Sequence, residues 1–220
     1  MQTLQFIFLI LHIASGYLAL TAGAVTMISQ KGQTLHRSTG KIFFISMIGV
    51  TVTSVYLSIA KDNLFLLFVG LFVFYQNFSG WRSVKHKTLK PAWFDWLVLA
   101  MALVNAFFMI RSMNVVLLVF GGVSLILVYT DIKLYRSILL QRKISPLSWM
   151  ARHIGMMTGA YIGAITAFLV VNITSVKPAW VIWLLPTALL VPLMRYWTWK
   201  FTKKPFQKRV TDGTLANSNE

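Results

Sequence analysis

The sequence predicts an all-α polytopic membrane protein with seven transmembrane helices, its N-terminus outside and its C-terminus cytoplasmic. Three observations carry that prediction. Hydrophobic residues make up 57% of the 220 positions and charged residues only 12%, with a mean hydropathy of +0.68, which leaves too little polar surface to cover a water-soluble globule. The apolar residues gather into seven runs that approach the length needed to cross about 30 Å of hydrocarbon as helices. Finally, eighteen of the 21 Lys and Arg residues fall in alternate gaps and the tail, while only Lys61, Arg111 and Lys177 fall in the others. Positive charge accumulates on the cytoplasmic side of a bilayer, which sets the orientation, and a missed or surplus helix would have mixed the two sets. The expected location is a cell inner membrane.

The first run, Leu4 to Ile28, has no Lys or Arg ahead of it and reads as a retained helix rather than a cleaved signal. Its one ionisable group is His12, above a small or polar stripe of Ser15, Gly16, Ala19, Gly23 and Thr26. The second run, Ile42 to Ala60, is preceded by His36 and Arg37. A short link at Lys61 to Asn63 forces the third, Leu64 to Trp81, into an antiparallel hairpin with it. The fourth, Trp93 to Ile110, holds Asp95 at its inner end and Asn105 deep within. After a second tight link comes the fifth, Val115 to Tyr129, which the segment from Asp131 can prolong beyond the membrane until Pro146 breaks it. In the sixth, Ala151 to Asn172, Gly155, Gly159, Gly163 and Ala167 recur every four residues and share one face, where missing side chains let another backbone approach. The expected mate of that face is the first helix, through Ala19 and Gly23. The seventh, Ala179 to Trp197, contains Pro186 and Pro192, which can kink it. Residues 1–210 form one transmembrane domain, and the polar residues 211–220 are expected to be a disordered cytoplasmic tail.

The formal charge of +16 does not mark a nucleic-acid binder, because the basic residues sit in gaps between spans. The partners it implies are the bilayer and anionic lipid headgroups at the cytoplasmic face, with a homo-oligomer or a membrane partner subunit open as well. With no cysteine, disulfides and thiolate chemistry drop out. No carboxylate lies deep in a span, which argues against a carboxylate-driven proton pump, and the seventh run lacks a lysine for a retinal Schiff base. No nucleophile, base and oxyanion donor can be assembled into a catalytic set.

Two groups of residues remain as candidate sites. His12, with Asn105 as its hydrogen-bond partner and Tyr161 nearby, can line a small-ligand cavity between helices. On the cytoplasmic side, His36, His153, His86 and Asp131, with Asp95 at the same face, are donor types that suit a divalent metal or haem. The pattern of His12, Gly16 and Gly23, followed by the His36-Arg37 pair and Gly40, resembles the start of a family of uncharacterised bacterial multi-pass membrane proteins. That family also begins with a histidine in helix one and a His-Arg-x-x-Gly leading into helix two. The resemblance implies that His12, His36, Arg37 and Gly40 act as a group, and it brings no reaction. Three functions fit the sequence: ligand binding or transport through polar groups between helices, which requires a cavity reaching His12; a haem- or metal-binding redox protein; and a structural or assembly subunit.

Overall fold

The computed structural model describes residues 2–202, and these form seven helices: α1 (Gln2–Ile28), α2 (Thr34–Ala60), α3 (Leu64–Lys85), α4 (Trp93–Arg111), α5 (Val115–Leu139), α6 (Ser148–Asn172) and α7 (Trp180–Thr202). Each is long and apolar enough to cross a membrane. Most overrun the apolar stretch that marks them in the sequence. α2 begins at Thr34 rather than Ile42, α3 continues to Lys85, and α5 continues to Leu139. Helical hydrogen bonding still satisfies the backbone where the hydrocarbon ends, and long cationic side chains can reach water from there. The expected tail at 211–220 lies outside the described residues.

Two tight hairpins are built alike. At one, Asp62 adopts a left-handed conformation (φ 50°) and the Asn63 side chain accepts the Leu66 N–H at 3.1 Å. At the other, Met113 (φ 54°) precedes Asn114, whose Oδ1 accepts from Val116 at 3.0 Å and Leu117 at 3.3 Å. In both, one residue ends the incoming helix and an asparagine caps the next.

α3 is the centre of the bundle, packed on α2, α4, α5 and α6. Its first half contributes Phe72 and Val73 to an apolar core with Phe43, Met47, Phe120 and Ala160. Its second half is buried yet polar, with Gln76, Asn77, Ser79, Arg82 and Ser83 all inside. Such groups have no hydrogen-bonding partner in lipid, so the helix that carries them takes the middle position. α1 lies mainly on α2, and α7 mainly on α6. α7 runs through both Pro186 and Pro192 as one helix, with Pro186 buried.

The glycine face of α6 has a different mate from the one expected. A Cβ on Gly159 would run into the Gln76 carboxamide, and one on Gly163 would meet Val73 Cγ2 at 2.6 Å, so this face lies on α3. Gly155 has open space beside it. The α1 stripe packs instead on α2, where Ser15 fills the space over Gly49, and it meets α6 where the Tyr161 ring lies on Gly23. Ala19 is fully buried in the same core. The reason is local: α3 offers a buried amide and a valine at the height of the α6 glycines, whereas α1 offers Gly23 to an aromatic ring.

Candidate functional site

The helix ends that carry the Lys- and Arg-rich connections, here called the basic end, hold a buried polar network. Asp131 of α5 is 2% exposed. Arg152, one turn into α6, donates Nε to Asp131 Oδ1 at 2.7 Å and Nη2 to Oδ2 at 2.6 Å. It also donates Nη2 to the Tyr135 hydroxyl at 3.1 Å, and Nη1 to the Ser79 carbonyl at 2.7 Å and Ser83 Oγ at 2.8 Å. All five guanidinium N–H groups therefore have an acceptor. Tyr75 completes the set by donating its hydroxyl to Asp131 Oδ2 at 2.7 Å. Charges withdrawn from water are costly unless fully paired. Here the pairing is complete, and it ties α3, α5 and α6 into one register.

A second pair lies between α3 and α4. Arg82 Nε donates to Asp95 Oδ1 at 2.5 Å, and its guanidinium sits 4.5 Å from the Phe94 ring centre. The other Asp95 oxygen accepts the Ala92 N–H at 2.6 Å, so the same carboxylate caps α4. Arg82 Nη2 also donates to the Lys90 carbonyl at 3.4 Å. In both pairs the carboxylate oxygens are occupied, and the pairs hold helices together.

The histidines at this end differ in that respect. His36 Nδ1 donates to the Thr26 carbonyl of α1, and His153 Nδ1 donates to the Gly80 carbonyl of α3, each at 3.1 Å. A carbonyl only accepts, so in the neutral rings Nδ1 carries the proton and Nε2 keeps its lone pair. The two rings are within electrostatic range of each other, and Lys31 is within range of His36. Lys31 itself donates to the Thr26 and Met27 carbonyls that end α1, at 3.1 and 2.5 Å, and burial pushes its ammonium below the ordinary lysine range.

The wider ligand cluster expected from sequence does not assemble. Among the described residues no three His, Asp or Glu side chains converge. Asp131 is taken by Arg152 and Tyr75, and His86 stands exposed just past the end of α3. Nor do His12, Asn105 and Tyr161 meet. His12 pairs with Thr53 of α2 at 2.9 Å, Asn105 donates to the Phe68 carbonyl of α3 at 3.0 Å, and the Tyr161 hydroxyl donates to the Leu20 carbonyl at 3.3 Å. The partner of His12 is thus Thr53 rather than Asn105. Because Thr53 gives its own hydroxyl proton to the Gly49 carbonyl at 2.7 Å, it accepts from His12 Nδ1. Two surface grooves, an apolar one beside α4 and a basic one on α5, both lie away from His12.

Sequence reading missed Arg152, Tyr75, Tyr135 and Arg82 as interior groups. One signal was present: the run Tyr75-Gln76-Asn77, Ser79 and Arg82-Ser83 is too polar for a lipid-facing segment.

Residues 9–130 match a family model described as a predicted membrane protein (DUF2306). His12, Gly16, Gly23, His36, Arg37 and Gly40 all lie inside the matched stretch, as do Tyr75, Arg82 and Asp95, whereas Asp131, Arg152 and His153 follow it. No curated protein and no solved structure matches the chain.

Proposed function

The chain belongs to the DUF2306 family of predicted membrane proteins, and we propose that it is a small-ligand-binding protein of the cell inner membrane whose ligand contacts are His36 and His153. One observation carries this reading. Each imidazole commits Nδ1 to a main-chain carbonyl across a helix contact, and the rings lie within range of each other, so two oriented Nε2 lone pairs remain at one end of the bundle. A ring fixed through Nδ1 is the usual arrangement of a metal-binding histidine. Neutral imidazole nitrogen suits borderline divalent ions such as zinc, cobalt, nickel or copper, and it is also an axial donor to haem iron.

In this mechanism the Arg152–Asp131 pair is a positioning device. Arg152 is adjacent to His153 and anchors that turn of α6 to α3 and α5, so the imidazole is presented from a fixed helix. The excess of basic residues on this side supports placing it in the cytoplasm. The reading centred on His12 has less support, since His12, Asn105 and Tyr161 are spent on three separate helix contacts.

Cobalt(II) titration of the full chain in mild detergent tests the proposal. Visible ligand-field bands should saturate near one equivalent, disappear in His36→Ala and His153→Ala, persist in His12→Ala, and weaken in acid as protons compete with the metal for the imidazole nitrogens. Equal binding by all three variants would refute it.

A further inference from the structure

α5 continues beyond the apolar part of its span and presents Tyr129, Ile132, Lys133, Arg136, Ser137 and Leu140 on one face, at the three- and four-residue steps of a helix. Gln141 then turns the chain through a left-handed conformation (φ 54°), and Arg142 closes the same face. Together they line a groove of about 220 Å³. Lys133, Arg136 and Arg142 are exposed, and their side chains make no hydrogen bond or ion pair among the described residues. The carboxylates among the described residues do not neutralise them: Asp95 pairs with Arg82 and Asp131 with Arg152, while Asp62 lies at the opposite end of the bundle.

The order of side chains along this face matters. Ile126 and Tyr129, 64% and 65% exposed, lie toward the lipid-facing middle of α5, and the cations follow one and two turns later. Apolar, then aromatic, then cationic is the sequence of environments that a phospholipid presents from acyl chain through glycerol to phosphate. We infer that this groove binds the headgroup phosphate of an anionic phospholipid, with an acyl chain lying along Ile126 and Tyr129. The inference rests on the α5 face and is independent of the histidine pair.

Native mass spectrometry of the full chain in mild detergent, titrated with phosphatidylglycerol, tests it. One lipid should be retained at low molar excess. The triple variant Lys133→Gln/Arg136→Gln/Arg142→Gln should bind about a hundredfold more weakly, at roughly fivefold per cation near a membrane surface, and each single variant should show its share. The charge-matched control Lys85→Gln/Lys87→Gln/Lys90→Gln should bind as the wild type does, and millimolar inorganic phosphate should not displace the lipid. Equal loss in both triples would mean diffuse attraction without a site. Displacement by inorganic phosphate would mean a soluble phosphate ligand, and undiminished binding by the α5 triple would place the lipid elsewhere. Any of these overturns the inference.

Discussion

Arg152→Met removes five hydrogen-bond donors at once and leaves the Asp131 carboxylate, 2% exposed, with Tyr75 as its remaining donor. Stripping one partner from a buried ion pair costs about 3–5 kcal/mol. Removing the charge as well should recover part of that loss: in the double variant Arg152→Met/Asp131→Asn no unpaired buried charge remains, so about 1–3 kcal/mol should return. Unfolding in mixed micelles by titration with SDS, for both variants beside the wild type, measures both numbers. A deficit below about 1 kcal/mol in Arg152→Met, or a double variant no more stable than the single one, would refute the claim that this pair is a buried lock.

The α6 glycines should separate by partner: Gly159→Ala and Gly163→Ala should lose about 1–3 kcal/mol by overpacking against Gln76 and Val73, while Gly155→Ala, with open space beside it, should be neutral or up to about 1 kcal/mol more stable. The same unfolding assay decides it. His12→Ala should cost about 0.6 kcal/mol through the lost bond to Thr53, with His12→Asn recovering part of that; an Asn variant no better than Ala would show that the bond does not contribute. Because the chain has no cysteine, topology can be read from single introduced thiols. Asp62→Cys and Ser112→Cys should react with a membrane-impermeant maleimide on intact cells, and Lys87→Cys and Arg142→Cys only after permeabilisation. The reverse pattern would invert the proposed orientation.

The helices are readable in the sequence because crossing a bilayer imposes length and apolarity locally, and each run from Leu4 onward is apolar and near the spanning length without reference to its neighbours, Val115 to Tyr129 being the shortest. Partner choice is a different kind of information. Spacing put Gly155, Gly159 and Gly163 on one face, but the identity of the facing helix depends on how seven helices arrange around a centre. That centre is α3, because its second half holds the polar groups that lipid cannot satisfy. Arg152 was counted as a flanking cation because the apolar run begins near it, yet α6 starts at Ser148 and carries it inside. Asp131 is a ligand candidate by residue type, and the turn from α5 into α6 brings Arg152, 21 positions further on, back to occupy both its oxygens. His36 and His153 stood out in the sequence as members of a metal or haem group. Their orientation through Nδ1 did not, since it depends on the carbonyls of Thr26 and Gly80 on other helices.

The proposal that His36 and His153 hold a ligand is tested most directly by the absorption spectrum and metal content of the full chain purified in mild detergent, compared with His36→Ala/His153→Ala purified alongside. The account predicts a Soret band or a near-stoichiometric transition metal in the wild type and neither in the double variant. A wild-type protein that is colourless and metal-free, and stays so after incubation with equimolar zinc or cobalt, would contradict it.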